Sequence, residues 1–361
     1  MSHFKLSSLL LIAAVSLMTI SCKKKDDDSS TLLYLDGTLS FDLPEFILKG
    51  ETIKMGPSGL SHPDEAEIGY YWKVTPTMTT YDTTRFLNGL DDPNSEIGKV
   101  SDGSLNHTFS DTLQVYTVYC YGYAEDYTNS STSRTTATVD PSPNGSITGT
   151  GIDPEKDPSI SFDEIHNLYY TTIGNLDWFR QNLSYTEKGA AFRNCEVMDG
   201  VFGRYYSYEE AMTACPDGWR LPTDKEWVDM IQTVDSSYTD IKTHETVPGI
   251  AAKLMADGKF NGQKMWEYWP AVGEITNESR LSIIPTGYAN LGSKNAAGVY
   301  NKANFVGVYE YAAFWTADIA SAEEGTAYYR YIYCDQGDLM IGKGDMKSFG
   351  ASVRCVRETE N

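Results

Sequence analysis

Six cysteines, five histidines and fifty acidic side chains are the groups with which this 361-residue chain could do chemistry. Zinc sites need His or Cys at ligand spacing, but beyond residue 21 His62, His107, His166 and His244 stand singly, with no His-x-x-x-His or His/Cys cluster. No Gly-x-Ser-x-Gly nucleophile elbow occurs. Gly342-Lys343-Gly344-Asp345 lacks the spacing of a phosphate-cradling loop. Glu323 and Glu324 sit together in a loop-like stretch and read as solvated surface. A reactive dithiol needs two sulfurs within reach and an activated thiolate; Cys334 and Cys355 are 21 residues apart, and no Cys-x4-Cys exists. The expectation is no enzyme and no cofactor. A structural Ca²⁺ in an oxygen-rich loop such as 274–278 (EITNE) is the one ion left open, on a composition common in so acidic a chain.

The chemistry that remains is that of a corner. In ACPDGWRLPTDKEW (214–227) one helix ends near Cys215, Pro216 and Gly218 force a turn, and Pro222 keeps the chain extended up to Thr223. Two capping boxes flank it: Ser207 with Glu210, and Thr223 with Glu226. In the second helix Trp227, Met230, Ile231 and Val234 share one face. A third, weaker helix is expected from Gly249 to about Ala256. In an exported chain a cysteine at such a corner forms a disulfide. Its natural partner is Cys355, because that bond closes a loop of about 140 residues and is worth on the order of 4–5 kcal/mol.

The front end argues for export. Met1 to Ser21 holds one charged residue, Lys5, and an apolar run from Leu9 to Leu17 too short to span a bilayer. Ser21-Cys22 resembles a bacterial lipobox, although Thr19 stands where that family prefers Leu; the resemblance implies lipidation of Cys22. Residues 22–31 form a charged tether, KKKDDDSS at its core, and its acids resemble the export signal of Bacteroidetes surface lipoproteins. The expected location is the outer membrane, lipid-anchored and exposed at the cell surface. Without residues 1–21 the chain carries 28 basic against 50 acidic side chains. That field repels nucleic acid, which is set aside as a partner.

A chain of this size defaults to two domains. Residues 32–139 read as short strands between turn residues, with IGYYWKVTP alternating around Trp72 and LQVYTVYCYGYA alternating along its length. This all-β segment resembles immunoglobulin-like and PKD-like sandwiches, with a core Trp72 strand and Asp111 leading into a Tyr-x-Val strand. Cys120 has no second cysteine there and reads as a small buried hydrophobe. Residues 140–159, rich in Pro and Gly, read as a linker. From Ile160 helix signals come first and strands follow, an α+β pattern over 160–358.

YYTTIGNLDWFRQNL, FGRYYSYEEAMTACPDGWRLPTDKEW, IIPTGYANLG, AAFWTAD and SVRCVRE together resemble the Fibrobacter succinogenes major paralogous domain. The resemblance implies a C-type-lectin-like fold whose first and last elements lie side by side, which agrees with the Cys215–Cys355 bond. Members often carry a close cysteine pair before the Gly-Arg-x-Tyr block, whereas here Cys195 is alone; it either pairs with Cys334 or stays a thiol. The Trp-Arg-Leu-Pro-Thr block is also similar to formylglycine-generating enzymes, making such an oxidase the enzymatic alternative. Aromatic density favours a binder instead. Trp266, Tyr268 and Trp269, and Tyr329 and Tyr331, are the candidate contacts for a glycan or a surface protein. Packing is the competing use, since in a strand Tyr329, Tyr331 and Tyr333 share one face and Tyr328, Arg330, Ile332 and Cys334 the other. A structural or assembly component of the cell surface is the remaining alternative.

Overall fold

The computed structural model describes residues 32–77, 96–97, 103–153, 156–184, 188–266 and 273–359. Strands outweigh helices throughout, and the chain divides into two compact units, residues 1–138 and 139–361. The expected signal segment (1–21) and the tether with Cys22 lie outside the described residues. Among the described residues no helix is long and apolar enough to cross a membrane.

The first unit is built on a five-stranded sheet from β1 (Phe46–Leu48), β2 (Gly69–Pro76), β3 (Glu96–Ile97), β4 (Val115–Tyr123) and β5 (Ser130–Val139), in the order β1-β5-β4-β2-β3, with β5-β4, β4-β2 and β2-β3 antiparallel. The period-two alternation read from the sequence is realised in β4, where Tyr116, Val118 and Cys120 turn inward. They join Trp72, Phe41 and Ile47, together with Met55 and Leu105 from the separate Thr52–Met55/Leu105–Thr108 pair. Trp72 is fully buried, and its indole N–H donates to the Gly103 carbonyl at 2.8 Å. Burial pushes the Cys120 thiol up to about 12, so it is an inert core residue.

The second unit contains, in chain order, β6 (Ile147–Thr148), β7 (Ser161–Asp163), β8 (Leu168–Ile173), β9 (Leu176–Phe179), α1 (Tyr208–Ala211), α2 (Asp224–Val234), β10 (Lys259–Phe260), β11 (Tyr288–Asn290), β12 (Asn304–Val306), β13 (Tyr311–Ser321), β14 (Thr326–Tyr333), β15 (Met340–Asp345), β16 (Phe349–Gly350) and β17 (Val356–Glu358). The antiparallel sheet β7-β8-β9-β17 joins the unit's beginning to its end, with Trp178 opposite Val356. A second sheet, β13-β14-β15, separates two apolar clusters. Ala312, Phe314, Ile332 and Cys334 point into one, with Trp178, Trp227 and Trp266. Ala313, Trp315 and Ala327 point into the other, with Phe179, Trp219 and Cys355.

Both capping boxes are present. The first helix is shorter than the expected run to Cys215. After Ala211 its bonds tighten, with Thr213 N–H reaching back only to Glu210 O at 3.0 Å, and the turn before Pro216 is not helical. The third helix is likewise one turn, Ala251–Leu254. The stretch expected as a linker at 140–159 is a larger departure, because residues 140–153 pack within the second unit. There β6 pairs with β10, Ser146 is buried, and the Thr150 carbonyl accepts from Ser282 Oγ at 2.6 Å and Asn277 Nδ2 at 3.2 Å. Pro/Gly-rich composition announces turns. It carries no information on whether distant polar groups satisfy the backbone between them.

Candidate functional site

The corner resolves as structure. Cys215 and Cys355 form a disulfide, with Cα atoms 5.8 Å apart. Arg220 and Val356 exchange backbone hydrogen bonds at 2.9 and 2.8 Å, so the corner pairs with β17 beside the disulfide. Trp219 stacks on Phe179 with centroids 4.1 Å apart, and the Arg357 guanidinium lies 4.4 Å over its ring. Arg220 grips Glu226 through two hydrogen bonds of 2.8 and 2.6 Å, and Glu226 also accepts from the Thr223 N–H. Burial alone would raise the pKa of Glu226, but Arg220 and Thr223 outweigh it and hold the carboxyl below its ordinary value. Asp224, the first residue of α2, makes a wholly buried bidentate pair with Arg330 of β14 at 2.6 and 2.8 Å. The Asp224, Glu226, Arg220 and Arg330 charges are thus engaged by one another.

A different surface forms where β13-β14-β15 meets β11 and β16. Tyr329, Tyr331 and Tyr333 alternate on one face of β14, all half-buried. Tyr311 of β13 lies opposite Tyr333 and touches both Tyr333 (4.8 Å between centroids) and Tyr331 (5.4 Å). Tyr331 contacts Tyr329 at 5.5 Å, Tyr329 contacts Phe349 at 4.5 Å, Phe349 contacts Tyr288 at 5.3 Å, and Tyr288 returns to Tyr311 at 5.7 Å. The five rings close on themselves, and Tyr333 extends the set. Tyr329 and Phe349 meet Trp315 edge-on, Tyr288 and Tyr331 pack against the same cluster, and all five rings belong to half-buried residues. Glycines in β15 make this possible. A Cβ on Gly342 would stand 2.4 Å from Tyr329 Cζ, and one on Gly344 would stand 2.8 Å from Trp315. Burial, then the neighbouring phenols, push Tyr329 and Tyr311 up to about 12, so both stay neutral at any physiological pH.

Residues 171–357 match the family model for the Fibrobacter succinogenes major domain. The chain belongs to this family. No curated protein and no solved structure matches it.

Within the family domain the candidate residues divide. Tyr329 and Tyr331 come together in the aromatic set. Trp266 does not join them. It is fully buried beside Trp178 and Trp227, a correction to its reading as a ligand contact, because burying that apolar area is worth more than presenting it to water. Tyr268 and Trp269 lie outside the described residues. Cys195 and Cys334 are both thiols, so the alternative disulfide is not formed. Cys195 precedes a one-turn segment at Glu196–Met198 with its Sγ donating to the Arg193 carbonyl, whereas Cys334 sits in the tryptophan cluster. At 274–278 the Asn277 amide is spent on the chain itself, its Oδ1 accepting from Ser282 N–H at 3.0 Å, and Glu278 pairs with Lys253 at 2.9 Å. Among the described residues there is no cluster of three His, Cys, Asp or Glu able to hold a metal. Sequence reasoning missed Tyr288, Tyr311 and Phe349, which other strands supply. The one available signal was Gly342 and Gly344, two residues apart in a strand, leaving room on one face for rings from its neighbours.

Proposed function

We propose that this chain is a lipid-anchored surface protein of the outer membrane, and that its family domain binds a glycan or a surface protein through the aromatic face. The observation that carries this reading is the closed set Tyr288, Tyr311, Tyr331, Tyr329 and Phe349, half-open to solvent. Flat apolar rings with neutral phenol edges stack on sugar rings and suit interface hot spots alike. In this reading the family domain has a C-type-lectin-like fold, for which the pairing of its first and last strands and the bond between its first helix region and its last strand speak. The first unit is an immunoglobulin-like or PKD-like sandwich. The role is non-enzymatic. An oxidase of the formylglycine-generating kind would need a dithiol, and Cys355 is already bonded to Cys215 while Cys334 lies in the other apolar cluster.

The test is an array of glycans probed with residues 30–361, in calcium and in EDTA. Reproducible binding in both arms is expected, since stacking on neutral rings needs no cation. A blank glycan array with capture by an envelope protein would narrow the ligand to protein, and blank arrays for both would favour the assembly role. Anchoring is tested separately: Cys22→Ala should move the protein out of the membrane fraction, and retention there would remove lipidation as the anchor.

A further inference from the structure

Away from both the corner and the aromatic face, the second unit encloses a cavity of about 110 Å³, lined among others by Asn144, Ile152, Arg180, Asn182, Ser282 and Arg354. Arg180 directly follows β9, and its backbone N–H is fixed to Tyr169 O at 2.8 Å. Its side chain is only 1% exposed. Nη2 donates to the Gly151 carbonyl at 3.0 Å and to Ser282 Oγ at 3.1 Å. Nε and Nη1, both buried, have no hydrogen-bond partner among the described residues. The nearest carboxylate oxygen, Asp157 Oδ2, stands 3.8 Å from Nη1, beyond hydrogen-bond distance.

The surroundings do not restore the balance. Arg354, also about 1% exposed, is held by neutral acceptors: Asn182 Oδ1 at 2.8 Å and the carbonyls of Phe179 at 3.0 Å and Leu281 at 2.5 Å. Arg280 donates to Ser159 Oγ and, like Arg180, lies near enough to Asp157 to lower its pKa, after the Ser159 hydrogen bonds. Asp199 also lines the cavity; Arg204 engages its Oδ2 at 2.6 Å, while its Oδ1 is buried with no hydrogen-bond partner among the described residues. Arg180 and Arg280 thus share the Asp157 carboxylate, and the Arg354 guanidinium adds a further positive charge beside Arg180, in a chain whose net charge is −21. Burial pulls the Arg180 pKa down to about 10, the mark of a cation whose solvation has been removed without a full replacement.

We propose that this cavity is a binding site for a small oxyanion, a carboxylate or a phosphate, held against the unused N–H groups of Arg180. A guanidinium presents its donors in a fixed plane suited to oxyanions, and a desolvated one binds them by charge-assisted hydrogen bonds. The volume sets the size. It is smaller than the roughly 150 Å³ that accommodates benzene, so the ligand has the bulk of acetate or phosphate. The site is independent of the aromatic face and stands or falls without it.

Titration calorimetry of the detergent-solubilised full-length chain tests this, with sodium phosphate in one arm, sodium acetate in a second and sodium chloride at matched ionic strength as control. Saturable one-to-one binding of at least one oxyanion and not of chloride is expected, with the responding arm identifying the class. Arg180→Gln should weaken that binding at least tenfold. Absence of saturation with both oxyanions, or equal affinity in Arg180→Gln, would overturn the proposal. Should the variant fail to fold, crystals of the wild-type chain soaked in the binding oxyanion decide. Density against Nε or Nη1 of Arg180 supports the site, and density only elsewhere refutes it.

Discussion

The Cys215 corner and the aromatic face lie in the same unit, and they use their polar and aromatic side chains in opposite ways. At the corner each group has a partner that only the fold can supply: Asp224 with Arg330, Glu226 with Arg220, Cys215 with Cys355. On the aromatic face the rings touch each other, yet each keeps part of its surface in water and none is held by an ion pair. Removing Asp224 leaves an uncompensated Arg330 in a dry interior, whereas removing a ring from the face restores a half-solvated position. The corner therefore carries stability, and the face is where we propose recognition.

That division is open to attack at several points. The largest effect is expected for Cys215→Ser. The bond spans 140 residues, so its loss should destabilise by about 5 kcal/mol, a fall in melting temperature of roughly 10–20 °C for a unit of this size. A melt unchanged in oxidising buffer would deny the corner its role. Next comes Asp224→Asn, which strips the counter-charge from a fully buried Arg330; a loss of about 3–5 kcal/mol is expected in chemical denaturation. Glu210 should matter less. It caps α1, accepts from Ser207 and Gly189, and pairs with Lys294 at 2.6 Å. Burial would raise its pKa, but Lys294 and those backbone donors hold it below its ordinary value. With a folded pKa below the unfolded one, its contribution is present above the unfolded value of about 4.3 and fades as pH falls through the folded value. Glu210→Gln should cost about 1–2 kcal/mol at pH 7 and flatten the acid limb of stability against pH; an unchanged acid limb would show that this carboxyl is not the group responsible.

How much of this was legible in the sequence follows from how local each signal is. The capping boxes at Ser207 and Thr223 and the turn at Pro216-Gly218 each occupy a few neighbouring residues, and the structure contains all of them. The Cys215–Cys355 bond was readable because a cysteine at a helix-ending corner has a natural partner at the last strand, where the bond closes a loop of about 140 residues. The shared face of Tyr329, Tyr331 and Tyr333 follows from the two-residue period of a strand. Tyr311 and Phe349 were not readable as their neighbours, since cross-strand contact depends on register that no single strand encodes. Trp266 misled for the related reason that an aromatic-rich stretch looks the same whether it faces solvent or core. Arg180 gave no signal at all, because its burial depends on Gly151 and Ser282, which arrive from remote segments.

The smallest stability effect and the largest functional one should coincide in the double variant Tyr331→Ser/Tyr333→Ser, and measuring both quantities on it tests the central claim most directly. The account predicts a melting temperature lowered by no more than about 2–4 °C for each kcal/mol lost, together with at least a tenfold fall in binding to whichever glycan or envelope protein the wild-type chain retains. A variant that unfolds would place those rings with the core, and one that binds as tightly as the wild type would remove the aromatic face from recognition.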